Sequence, residues 1–100
     1  MPFFAAIFED DDNVAARVRG AFTEEHVAWL GKRDDKVLVA GALSPADGGA
    51  PTGGLWVIEA ETAEEARRII AEDPFHREGL RKTVRLEAWS RGFPKRPVTF

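Results

Sequence analysis

Apolar residues open the chain in an unbroken run from Phe3 to Phe8, and the acidic turn Glu9-Asp10-Asp11-Asp12-Asn13 stops it. Phe3, Ala5 and Ile7 alternate with Phe4, Ala6 and Phe8, which predicts a strand covered on both faces. Asp12 or Asn13 can then accept a bond from a free backbone N–H and cap a helix. From Val14 to about Gly31 the apolar positions Val14, Val18, Phe22, Trp29 and Leu30 recur at helical spacing. Gly20 inside that stretch costs about 1 kcal/mol relative to Ala, so a kink or a division into two segments is expected there.

Lys36 to Leu43 (KVLVAGAL) reads as a second buried strand. Residues 44–54 are dense in Ser, Pro, Asp and Gly, and they join it as a long hairpin loop to a third strand, Leu55 to Ala60. Thr62-Ala63-Glu64-Glu65 is a capping box: Thr62 accepts the third helical N–H and Glu65 reaches back to the cap. The helix it opens carries Ala66, Ile69 and Ile70 inward and ends around Asp73, because Pro74 disfavours helix in the residue before it. Thr83 to Trp89 alternates Val84, Leu86 and Ala88 with Arg85, Glu87 and Trp89, a fourth strand.

The order strand, helix, strand, strand, helix, strand predicts an α+β, ferredoxin-like βαββαβ sandwich, a four-stranded antiparallel sheet with both helices on one face. The helices cover only one side, yet the first three strands carry apolar residues on both. A second copy packed by twofold symmetry on the open face is the simplest cover, so a sheet-to-sheet homodimer is expected.

One hundred residues make one small domain. A net charge of -3 leaves no surplus of Lys and Arg for phosphates, which argues against a nucleic-acid partner. The chain has no cysteine, which removes disulfides, thiolate nucleophiles and Cys-ligated zinc and fits a cytoplasmic setting. No apolar run is long enough for a signal peptide or a membrane span.

The candidate chemistry is the pair His26 and Asp73. An imidazole and a carboxylate brought together across a fold can move protons near neutral pH. His26 lies four residues after Phe22 and four before Leu30, at the border of its helix's buried stripe, and Arg19 falls on nearly the same line. A boundary histidine bonded to a backbone carbonyl is the alternative. Asp73 can equally be a turn former before Pro74. A negative charge at a helix C-terminus is unfavourable by about 0.3–1 kcal/mol, and a cation such as protonated His26 or Arg19 would offset it. His76 reads as solvated, and no metal site is expected from two histidines and scattered carboxylates. The glycines of the hairpin do not follow a phosphate-loop pattern, and neither Ser44 nor Ser90 has a neighbouring base.

Taken in order, several segments resemble the YCII-related (YciI-like) family: the opening strand, Arg19 and His26 in a helix ending HVAWL, and Ala40-Gly41 closing the second strand. The Gly-rich hairpin into GGLWVIEA, the helix TAEEARRIIAEDPF followed by Gly79-Leu80, and the terminal EAWSRGF complete it. The resemblance covers residues 1–93 and leaves 94–100 as a C-terminal extension. It implies a fold of the dimeric α/β-barrel group and a pocket whose His–Asp pair, here His26 and Asp73, forms the active site. Arg19 and an acid after the first strand, Asp11, are implied to line it and to bind substrate. The expected function is cofactor-independent proton transfer, of lyase or isomerase type, on a small cyclic or aromatic molecule. A non-catalytic ligand-binding or accessory dimer with a structural His–Asp pair is the second reading.

Overall fold

The computed structural model describes residues 2–90 and 92. Its elements are β1 (Phe3–Asp10), α1 (Ala15–Lys32), β2 (Val37–Leu43), β3 (Gly53–Glu59), α2 (Ala63–Glu72), the single turn α3 (Pro74–Arg77) and β4 (Arg81–Trp89). The sheet order is β2-β3-β1-β4, and every neighbouring pair is antiparallel. This is the ferredoxin-like α+β arrangement expected from the chain's pattern. The extension at 94–100 lies outside the described residues.

Register explains where the core sits. Phe4, Ala6 and Phe8 of β1 stand opposite Ile58, Trp56 and Gly54 of β3, and the large side chains of that set are buried. Trp29 and Leu30 of α1 and Ala66, Ile69 and Ile70 of α2 pack on the same residues, so both helices lie on one face. A second, smaller cluster of Val18, Phe75 and Leu80 joins α1 to α3 and the turn before β4.

Four local expectations need correction. The helix α1 runs unbroken through Gly20, whose position faces solvent and leaves no packing strain to relieve by a kink. It begins at Val14 without a side-chain cap, because the acidic turn is used differently. Asp11 accepts the Asn13 N–H with its carboxylate (2.9 Å) and the Val14 and Ala15 N–H groups with its carbonyl (3.1 and 2.9 Å). The strand β2 is buried only at Val37; it is an edge strand, paired on one side alone, and its residues from Val39 on are exposed. The capping box forms its Thr62 half, with the Glu65 N–H donating at 3.1 Å, but the Glu65 carboxylate turns to Lys36, 3.7 Å away.

The face away from the helices is apolar on one side and charged on the other. Val39, Leu43 and Leu55 are exposed and Ala5 and Ile7 half-buried, while β4 presents Thr83, Arg85 and Glu87.

Candidate active site

Three local devices bring Asp73 to its position. The residue before a proline is pushed out of helical geometry, and Asp73 has φ -67° and ψ 130°, ending α2. Its extended backbone makes it the N-cap of α3, with Pro74 at the first helical position, where the missing N–H costs nothing. Its Oδ1 accepts the Phe75 N–H at 3.1 Å. Gly79, with φ 80°, then turns the chain into β4 and carries Arg81 back alongside.

The Asp73 side chain is fully buried, and its carboxylate oxygens accept from three donors. Oδ1 also accepts from His26 Nδ1 at 2.7 Å, and Oδ2 accepts from Arg81 Nη2 at 2.7 Å. Burial pulls its pKa up, but the bond from His26 and the charge of Arg81 outweigh it, and the group is held below its ordinary 3.8. Asp73 is therefore a carboxylate at neutral pH and can only accept. His26 must place its proton on Nδ1 to meet it, which leaves Nε2 as the acceptor nitrogen of the neutral ring.

The imidazole lies flat on Phe75, with ring centres 3.9 Å apart and planes 11° apart, and Trp56 stands 6.4 Å away at 26°. Both rings and His26 line a cavity of about 220 Å³ together with Phe8, Asp10, Arg19 and Arg81. An engineered cavity of roughly 150 Å³ already admits benzene, so a substituted six-membered ring is within reach. The Arg81 side chain is 4% exposed and lies over Phe8 at 3.9 Å and Trp56 at 4.9 Å. Burial pulls its pKa down and Asp73 opposes that; a guanidinium stays protonated regardless.

The cavity wall carries His26 and Arg19, with Asp73 buried behind His26, but not Asp11. The acid on its wall is Asp10, which is buried and takes Arg19 Nε at 3.0 Å and Nη2 at 3.3 Å. Arg19 Nη2 also donates to the Gly53 carbonyl at 3.2 Å. A Cβ on Gly53 would fall 2.1 Å from the Phe8 carbonyl oxygen, so only glycine fits where β3 passes β1 here. The period of the strand was the available signal: Phe4, Ala6 and Phe8 face the helices, and two residues on, so does Asp10. Asp11 is past the strand, with its carboxylate spent on Asn13. Arg81 escaped sequence reasoning because its strand was expected to begin at Thr83. The cation that offsets Asp73's charge is thus Arg81 beside His26, not Arg19.

His76 is not simply solvated. Its Nδ1 is buried with no hydrogen-bond partner, above a groove lined by Arg67, Ile70, Val84 and Leu86. Burial first and Arg81 second pull its pKa below 6.5, with Asp73 opposing. The unfolded chain therefore takes this proton before the folded one, so the contribution to stability is whole above pH 6.5 and lost as pH falls through the lower folded value. Stability measured by urea unfolding should decline as pH drops below 6.5, and His76→Gln should reduce that decline. An identical slope in the variant would exclude His76 as its source. Among the described residues no group of three His, Asp or Glu side chains is placed to hold a metal, and no helix is long and apolar enough to cross a membrane.

A family model for the YCII-related domain matches residues 2–90. The chain belongs to the YCII-related family. A search of curated proteins finds no match to this YCII-related chain. Among solved structures, it is similar to the 5-chloro-2-hydroxyhydroquinone dehydrochlorinase of Burkholderia phenoliruptrix AC1100, in complex with 2,5-dihydroxybenzoquinone. Identity is 28%, the match covers 90% of this chain and 95% of that one, and the TM-score is 0.79.

Proposed function

We propose that this YCII-related chain is a cofactor-independent lyase-type enzyme that moves a proton on a small hydroxylated aromatic ring. The contact of His26 Nδ1 with the buried Asp73 carboxylate, at the wall of a ring-sized cavity, carries the reading. His26 Nε2 is the general base. Asp73 fixes the ring's tautomer and stabilises the imidazolium that forms. Elimination of a hydrogen halide from a halogenated polyphenol is the reaction favoured by the similarity to the dehydrochlorinase. The ring first passes to its keto tautomer, the proton of the hydroxyl beside the C–X bond moving to the halogen-bearing carbon. The proton of a second hydroxyl then goes to Nε2, its O–H electron pair becomes the second carbonyl bond as the ring double bond shifts towards that carbon, and the halide leaves with the C–X pair, giving a quinone. The step is redox-neutral and needs no oxidant. Arg19 Nη1, not used in the bonds to Asp10 and Gly53, is the donor for a ring oxygen. The test is chloride release from 5-chloro-2-hydroxyhydroquinone. A rate equal to the uncatalysed background, for this and related halogenated polyphenols, would sink the enzyme reading.

One observation favours a binding module instead: Asp73 already has three donors and caps a helix turn, a complete structural role for the pair. Under that reading, loss of His26 costs stability and leaves ligand affinity as its only functional readout.

The working form is a cytoplasmic homodimer closed over the apolar part of the open sheet face. Val39, Leu43 and Leu55 are each about two-fifths exposed and lie together beside half-buried Ile7 and Ala5. A domain this small gains buried area most readily by pairing. Sedimentation at micromolar concentration should give twice the chain mass, and Leu55→Asp should give monomer. A wild-type monomer under those conditions would remove the dimer from the reading.

A further inference from the structure

Arg81 sits at the back of the His26–Asp73 pair, and its surroundings leave its charge one principal use. Nη2 is bonded to Asp73 Oδ2 at 2.7 Å, while Nη1 has no oxygen or nitrogen partner and the guanidinium lies over the faces of Phe8 and Trp56. The nearest other carboxylate, Asp10 of β1, is taken by Arg19 of α1. Of the remaining ionisable groups around the pair, His76 of α3 presents a buried, unbonded Nδ1, and Arg77 is turned outward to Glu25 and Glu78. No charged residue from β2 or β3 lines the cavity. The cavity therefore balances without any charge on the imidazole: Arg19 against Asp10, Arg81 against Asp73.

Resting on the reading of His26 as the base, we infer that Arg81 is a positioning residue: it is the fixed countercharge of Asp73, and it leaves His26 Nε2 unprotonated and ready to accept a substrate proton. The carboxylate then orients the imidazole through Nδ1 without itself drawing a second proton onto the ring. With Arg81 removed, the same carboxylate would be a buried, unmatched charge, and an imidazolium would be its only remaining partner of opposite sign. Arg81 also holds Oδ2, so that Oδ1 stays aimed at Nδ1.

The experiment is an NMR titration of ring-labelled histidine in the full chain, with His76→Gln used to assign the signals of the two histidines. In the wild type at pH 7.5, nitrogen shifts should give the Nδ1–H tautomer, a measurement that depends on no variant folding. In Arg81→Met the His26 ring should take up its second proton at higher pH than in the wild type, because the unmatched Asp73 carboxylate then favours the imidazolium. Arg81→Lys keeps the charge but not the planar fork, and its midpoint should stay near wild type. Where turnover is measurable, the acid limb of kcat in Arg81→Met should move with the ring titration while KM stays put. Coincident titrations of wild type and Arg81→Met, or an Nε2–H tautomer in the wild type, would overturn the assignment. A chain that turns over no substrate yet shows the shifted titration keeps the countercharge role and loses only the enzyme reading.

Discussion

Replacing His26 with alanine is expected to lower turnover by about 10²–10⁴-fold, the usual contribution of a positioned general base. The geometry argues for a loss in kcat rather than in folding. Asp73 keeps the Phe75 N–H and the Arg81 guanidinium as donors when the imidazole is gone, and His26 itself is 13% exposed at the cavity wall, so no deep void opens. The stack on Phe75 is lost and one acceptor site of Asp73 is left to water, a cost of about 1–3 kcal/mol at most. Circular dichroism should therefore report a folded protein with a moderately lowered Tm. KM should change little, since Arg19, Trp56 and Phe75 still line the cavity. An unchanged kcat in His26→Ala rules out the imidazole as base, and a matching loss in Tm with intact turnover would leave the structural reading of the pair.

How far the chain's own pattern reaches is clearest at β1. Its alternation gave the strand, its central place and, followed two residues further, the buried Asp10. The family resemblance nevertheless implied Asp11 as the acid, and the Glu9-to-Asn13 run by itself reads as one solvated turn until the register shows the strand continuing to Asp10. The His26–Asp73 contact was legible as a possibility, since each residue has an oddity of placement that a partner would resolve. Arg81 had no such mark. It is eight residues from Asp73 in sequence and reaches it only because Pro74 starts a new helical turn and Gly79 reverses the chain. A contact made by two successive turns has no period to reveal it. The exposure of β2 was misjudged for a related reason. Apolar composition announces that a strand wants cover on both faces, but not whether that cover comes from its own chain.

The largest expected loss of stability follows from Asp73→Ala. The carboxylate is the shared acceptor of α1 through His26, α3 through the Phe75 N–H and β4 through Arg81. Its removal leaves a guanidinium that is 4% exposed with no anion hydrogen-bonded to it. Breaking a buried pair in this way costs about 3–5 kcal/mol, and loss of the α3 cap adds about 1 kcal/mol. A domain of this size has only about 5–15 kcal/mol in total, so Tm should fall on the order of 15–45 °C. Acid reports the same group. Asp73 is held below 3.8 in the fold, so the unfolded chain binds the proton first. The stability it contributes is whole above pH 3.8 and is lost as pH falls through the lower folded value. Asp73→Asn, which keeps an acceptor for the Phe75 N–H, should flatten that acid limb. The decisive variant is the double replacement Asp73→Asn with Arg81→Met. If the cost of Asp73→Ala comes from an unmatched buried charge, removing the partner charge restores much of it, and the double variant will be more stable than either Asp73→Asn or Arg81→Met alone. Additive losses would mean that the two side chains act through packing, and the charge-balanced picture of the cavity would fall with them.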